Sequence, residues 1–169
     1  MSERKTVRKW FWVWEFEKEE QWLNGMVQKG WVLDSLGFCT YHFISCVPGE
    51  YVVRLEMRGP DEEYISFMKE TGAEYLGRMA KWIYFRKNIK EGAFDLFSDI
   101  DSRIAHLNRI GKMLSVVAGA NFLVGFANSI NPYLNIGWVN LLGATLLMYC
   151  LGRIHGKKES LERERLLHE

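Results

Sequence analysis

The chain is poor in the residues that announce chemistry most directly. It has three cysteines and four histidines in 169 residues. Cys39, Cys46 and Cys150 are odd in number and share no paired spacing, which suits a reducing cytoplasm and argues against structural zinc. His42, His106, His155 and His168 are scattered, and none stands beside a second ligand at metal spacing. No serine or cysteine sits in a nucleophile elbow, and no glycine cluster forms a phosphate loop. Glu19-Glu20 and Asp61-Glu62-Glu63 fall where helices begin, so the helix dipole accounts for them without paired-carboxylate catalysis. His42 beside Glu56 is read as a half-exposed sheet histidine rather than an acid–base pair. These absences describe a non-enzyme with no metal and no cofactor. The formal net charge of +1 supplies no global field for nucleic acid. The first residues, MSERKTVRKW, lack the apolar core of a cleaved signal peptide.

Another absence is the most informative one. Between Lys112 and Arg153 there is no Asp, Glu, Lys or Arg. The uncharged region holds two apolar stretches, 113–130 and 134–151, separated by a short polar step around Asn131-Pro132. Each is near the minimum for crossing a hydrocarbon core as a helix, roughly 17–25 residues. Arg109 and Lys112 flank the entry, and Arg153, Lys157 and Lys158 flank the exit. The connecting loop has no basic residue. The positive-inside bias therefore keeps both termini cytoplasmic, giving two spans in the inner or plasma membrane. Gly119, Asn121, Gly125, Asn140 and Gly143 are expected at the helix–helix contact, with the two asparagines bonding across it. The bland alternative is a buried helical pair inside a soluble protein. No ionisable side chain lies within the spans, which argues against an ion path.

The aromatic residues lie mostly before residue 100, in a segment that repeats. Residues 10–44 match 52–86 at a constant offset of 42, and both copies read strand, helix, strand, strand. In the first copy the run WFWVWEF reads as a strand, Glu17 to Lys29 as a helix closed by Gly30, then two strands turning at Gly37. In the second, YVVRLEMR is the strand, Gly59-Pro60-Asp61 opens the helix, and Gly72 closes it. The expected fold is α+β, with duplicated β-α-β-β units forming an antiparallel sheet with two helices on one face. Phe11, Val13, Tyr41 and Phe43 match Val53, Leu55, Ile83 and Phe85, apolar in both copies, and define the core face. The opposite face mixes Trp12, Trp14, Thr40 and His42 with Arg54, Glu56, Trp82, Tyr84 and Arg86. Aromatics beside a carboxylate and guanidiniums suit a pocket for a flat or cationic molecule. A protein interface or a plain solvated face fits the same pattern.

The expected domains are therefore 1–90, the duplicated head; 91–112, an amphipathic connector; 113–154, the hairpin; and 155–169, a charged cytoplasmic tail. In the connector, Phe97, Ile100, Ile104 and Leu107 share one helix side, Ser98 is the expected cap, and Asp101 follows three residues later.

The segments WFWVWEFEKEEQWLNGMVQKGWVL, CVPGEYVVRLEMR, DEEYISFMKETGAEYLGRMAKWIYFRK and FDLFSDIDSRI resemble the DUF2812 family over roughly Lys9 to Arg109. The resemblance implies a soluble N-terminal part, often followed by membrane spans, and a PadR-like transcription regulator as partner. It implies no catalytic residue. The doubled plan is also similar, as architecture only, to the effector-binding domain of drug-responsive regulators related to the gyrase-inhibitor fold. The sequence thus predicts a membrane-anchored, non-enzymatic sensing or regulatory module. Its aromatic sheet face would bind a lipophilic or aromatic ligand or a protein partner, with a second copy of the chain as another candidate. The alternative is an accessory or assembly subunit of a larger membrane complex.

Overall fold

A computed structural model of the chain describes residues 3–59, 61–97, 99–130 and 136–168. Two compact units divide it, Met1–Leu96 and Phe97–Glu169.

In the first unit the elements run β1 (Arg4–Arg8), a single 3-10 turn (Val13–Glu15), α1 (Phe16–Gln28), β2 (Trp31–Gly37) and β3 (Thr40–Ser45). Then come β4 (Tyr51–Met57), α2 (Glu62–Glu70), β5 (Glu74–Met79), β6 (Trp82–Asn88) and a second 3-10 turn (Ile89–Glu91). The strands form two three-stranded antiparallel sheets, ordered β1-β3-β2 and β4-β6-β5. One continuous sheet was the expectation. Instead β2 of the first sheet lies against β5 of the second, and the Arg86 guanidinium donates to the Leu33 carbonyl at 2.9 Å between them.

The register of each half shows the same local events. The β2–β3 ladder shifts between Leu33 and Ser35, and the β5–β6 ladder between Tyr75 and Gly77. These positions are 42 apart, like Gly30 and Gly72, which leave α1 and α2 at φ +82° and +87°. A residue after a helix must turn left-handed there, and only glycine does so without steric cost.

The offset fails at the first strand. The run WFWVWEF is not a strand: it forms a loop, the 3-10 turn and the start of α1. The pairing strand is β1, whose side chains are nearly all exposed. It is specified by its backbone ladder to β3, from Arg4 opposite Ile44 to Arg8 opposite Thr40. Side-chain alternation, the signal that marked residues 10–16, therefore pointed to the wrong segment. The aromatic run serves tertiary packing instead, with Phe11 and Trp22 rings 5.6 Å apart and Phe16 stacked on Trp82 at 5.4 Å.

Six of the eight expected core residues are buried, Tyr41, Phe43, Val53, Leu55, Ile83 and Phe85, whereas Phe11 and Val13, in the loop and 3-10 turn, are half-buried. Ile83 and Phe85 pack with Ile65 and Met68 of α2, Ala73 and Phe94. Opposite Tyr41 and Phe43 lies Trp22 of α1, with ring centroids at 5.0 and 5.7 Å. Pro60, the expected start of α2, lies outside the described residues; the helix is capped by Asp61, whose carboxylate accepts the Tyr64 N–H at 3.0 Å.

The second unit is a pair of long helices, α3 (Ile100–Ser129) and α4 (Gly137–His168). Ser98 and the Asn131-Pro132 step lie outside the described residues. Asp99 caps α3 by accepting the Ser102 N–H at 2.7 Å. From Ile100 the connector continues into the first apolar stretch as one helix, with Phe97 ahead of it rather than on it, and from Gly137 the second stretch continues into the tail as another.

Candidate functional site

The first unit is organised around a buried carboxylate. Glu19 lies in the first turn of α1 and is 6% exposed. One of its oxygens, Oε1, accepts the hydroxyl protons of Tyr41 from β3 and Tyr84 from β6, each at 2.7 Å. The carboxylate thus joins both sheets to α1. Burial raises its pKa above the usual glutamate range, and the hydrogen bonds from Tyr84 and Tyr41 work against that rise. Burial and the adjacent Glu19 charge push both phenols well above their ordinary value.

One turn along α1, Glu20 and Asn24 address the free edge of β4. Asn24 donates to the Val53 carbonyl and accepts the Val53 N–H, both at 2.9 Å. Glu20 accepts the Leu55 N–H at 3.3 Å and pairs with Arg54 at 3.1 Å. Burial raises the Glu20 pKa, and the Arg54 charge offsets part of it. A side-chain amide in this position does what a neighbouring strand would do.

This arrangement corrects the expected pocket face. Trp82, Tyr84 and Glu56 are buried. The reason is α1, which covers the side of β6 that a two-helices-on-one-face plan leaves open: Phe16 meets Trp82 and Glu19 meets Tyr84. Glu56 instead accepts the Tyr64 hydroxyl at 2.9 Å, and the Arg58 guanidinium stands 3.8 Å away. Arg54 serves Glu20. Arg86 is held by Glu74 through two hydrogen bonds, at 2.9 and 2.7 Å, besides Leu33. His42 is exposed and bonded to Thr6 at 3.0 Å. Trp12 and Trp14 stack at 5.0 Å outside the sheet. The eight residues are thus distributed among separate buried, ion-paired and exposed positions.

What stays open is a tip that the sequence reading passed over. Phe38 and Cys39 form the two-residue turn between β2 and β3, and Phe38 is 82% exposed. Trp10 and Trp12 gather beside it, 55% and 49% exposed. Trp10 lies 6.2 Å from Phe38 and 5.6 Å from Trp12, centroid to centroid. The Lys9 N–H donates to the Cys39 carbonyl at 3.1 Å and fixes the loop to the turn. Arg8, Lys9, Trp10, Phe38, Cys39 and Thr40 line a shallow open cleft of about 480 Å³. Exposed bulky aromatics in a turn were the available signal, since turns ordinarily carry small polar residues. Among the described residues, no three His, Cys, Asp or Glu side chains gather as a metal site requires.

In the helical unit, the buried positions of α3 include Ile104, Leu107, Ile110, Leu114, Ala118 and Gly125. Those of α4 include Gly137, Ala144, Cys150 and Ile154. Steps of three, four and seven form a seam along α3, and the α4 positions, at steps of seven, six and four, lie along the facing side. Gly125 is at a close approach: a Cβ there would stand 2.9 Å from Leu141 Cγ and 3.0 Å from its backbone nitrogen. Gly137 is more restricted still, 2.6 Å from the Ser129 backbone nitrogen by the same construction. Gly143 has ordinary room beside Asn121, and Gly119 faces open space. Asn121 donates within its own helix to the Val117 carbonyl at 2.9 Å rather than across the pair, and Asn140 is half-buried. Both helices are long and apolar enough to cross a membrane, and only 22% of each apolar window is buried.

No curated protein and no solved structure matches this chain. The chain belongs to the family described as a protein of unknown function, DUF2812, whose family model matches residues 15–118.

Proposed function

We propose that the protein is a membrane-anchored, non-enzymatic sensing or regulatory module, in which α3 and α4 cross the membrane as a hairpin and both termini stay in the cytoplasm. The observation that carries this reading is the outward surface of the helix pair. Leu123, Ile130 and Trp138 are each more than 60% exposed, and Val116, Phe126, Leu142 and Leu146 extend the same apolar belt. A helix pair serving as a soluble core hides such residues; lipid accepts them. The hairpin is held by close backbone approach at Gly125 and Gly137, the packing that lipid-embedded helices favour.

The head is the recognising part. Its two halves are copies of one β-α-β-β unit, a reading supported by identical strand order and by ladder shifts and left-handed glycines 42 positions apart. Glu19, buried on the inner side of α1 with one oxygen accepting from two tyrosines, is a structural joint between those copies rather than a general base. Recognition of a lipophilic ligand or a protein partner then falls to the outer surfaces of the head. The partner that the family resemblance implies is a PadR-like regulator, with a second copy of this chain as the other candidate.

The test is fractionation of the intact chain from cells broken without detergent. We expect it in the membrane pellet, resistant to alkaline carbonate and released by detergent. Recovery in the supernatant would overturn the reading. A second reading, an accessory subunit of a membrane complex, is favoured by Gly119, which presents a small residue to open space on the first span. It requires a stoichiometric membrane partner in detergent extracts, lost when Gly119 or Asn140 is replaced by a bulky polar residue.

A further inference from the structure

We propose that the Trp10–Trp12–Phe38 tip of the head is a second membrane contact, inserting its aromatic rings into the headgroup layer of an anionic leaflet. This rests on the spanning reading of α3 and α4.

Three observations converge on a lipid surface. The first is chemical type. Tryptophan is the side chain enriched where apolar and aqueous phases meet, and here two indoles and a phenyl ring form one exposed cluster. The second is an internal contrast. Each half has a two-residue hairpin turn at the same place, between Gly37 and Thr40 in one and between Met79 and Trp82 in the other. The second turn is Ala80-Lys81, with its positive φ on Ala80 where the first turn has it on Cys39; a two-residue turn at this place closes without a bulky aromatic, yet the first carries Phe38 outward. The third is charge. Arg8 and Lys9 stand at the end of the exposed edge strand β1 and line the tip cleft, with Arg4 and Lys5 farther along the same strand, opposite Ile44 and Phe43, and Glu3 is the lone acid in that stretch. Among the described residues, none of the four is in an ion pair. Lys9 rests over the Phe11 and Trp22 rings at 4.8 and 4.6 Å and Lys5 over Trp31 at 5.4 Å, cation–π contacts that bring no counter-charge.

The magnitudes favour a populated contact. A Lys or Arg near an anionic surface gains roughly fivefold in binding. A short tether holds its domain at an effective concentration in the millimolar range. A weak contact of two basic side chains, Arg8 and Lys9, and three rings is therefore sufficient once the hairpin is inserted. A protein partner docking on the same rings would need no such basic rim.

The full-length chain, freed of native thiols by Cys39→Ser, Cys46→Ser and Cys150→Ala, is placed in nanodiscs of phosphatidylcholine with or without phosphatidylglycerol. An environment-sensitive fluorophore is attached to Phe38→Cys, to Glu63→Cys on α2, or to Phe122→Cys in α3. Quenching by lipids brominated near the headgroup or along the acyl chain is then read. The proposal expects the label at 38 to be quenched at least threefold more than the label at 63 in phosphatidylglycerol discs. It expects that excess to vanish in Arg8→Glu/Lys9→Glu. If that variant fails to accumulate, raising salt to about 1 M, where the screening length falls to about 3 Å, should remove the excess in the parent. Quenching at 122 with none at 38 beyond that at 63 overturns the tip contact and leaves the spans intact. A blue shift at 38 without lipid quenching overturns it in favour of a protein interface. Absence of quenching at 122 removes the spanning reading and this inference together.

Discussion

Glu19 holds three elements together with one carboxylate, and its protonation is linked to folding. Its folded-state pKa stands above the ordinary 4.5 because burial disfavours the charge more than the tyrosine hydroxyls favour it. The native state therefore holds this proton more tightly than the unfolded chain. The stability it contributes is fully present below about 4.5 and is lost as pH rises through the elevated folded value. Glu20 shifts in the same direction, so both groups slope stability downward over that window. Glu19→Gln keeps an acceptor for the tyrosines and removes one of the two titrations. We expect thermal unfolding of the head, followed by near-ultraviolet dichroism of the detergent-solubilised chain, to fall less steeply with rising pH above 4.5 than in the parent. An unchanged slope would mean that Glu19 does not titrate there.

The elements differ in how openly they were written. Helix α2 carried its acids, its Asp61 cap and Gly72 in the order that helices use, and it formed where expected. The hairpins β2–β3 and β5–β6 followed from short apolar runs around tight turns. The first strand did not, because the chain's strongest alternating run is spent on packing against Trp22, Tyr41 and Trp82, while a polar edge strand does the pairing. The candidate pocket was lost for a related reason: alternation tells which residues share a face, and it cannot tell which helix arrives to cover that face. The side chains of Asn24 and Glu20, facing the β4 edge, are the device that brings α1 there. Asn24→Leu strips the partners from the Val53 N–H and carbonyl. With roughly 1–3 kcal/mol for each of the two buried groups left unsatisfied, we expect a loss of about 2–6 kcal/mol. Hydrogen exchange should accelerate first at the Val53 amide; a loss confined to α2 and β5 would contradict this account. In the helical unit the corresponding device is Gly125. Gly125→Leu would drive a side chain into the Leu141 backbone, and we expect α3 and α4 to separate, read as a fall of at least tenfold in crosslinking between thiols at Asn121→Cys and Gly143→Cys.

At the scale of the whole molecule the claim is an orientation. Nothing in the two apolar stretches distinguishes one side of a membrane from the other, since both lack charge throughout. Orientation must come from what flanks them: Arg109, Lys112, Arg153, Lys157 and Lys158 at the open ends of the hairpin, against a connecting step with no basic residue. Translocating the ends would carry five cations across; translocating the loop carries none, and short basic flanks are the segments the positive-inside bias retains. The Asp101–Arg165 pair at 2.9 Å joins the open ends of α3 and α4, which supports the proposed placement of both flanks on one side. In intact cells of a thiol-free parent, single cysteines at Glu3 and Arg163 should resist a membrane-impermeant maleimide until the cells are broken. A cysteine at Asn128, near the connecting step, should react from outside. Replacing the five flanking cations by glutamine and placing lysines at Asn128 and Ile130 should reverse that pattern in a substantial fraction of molecules. If the reversed chain keeps the parental pattern, the flanking charges do not set the orientation, and the head would have to be held in the cytoplasm by its own folding before insertion.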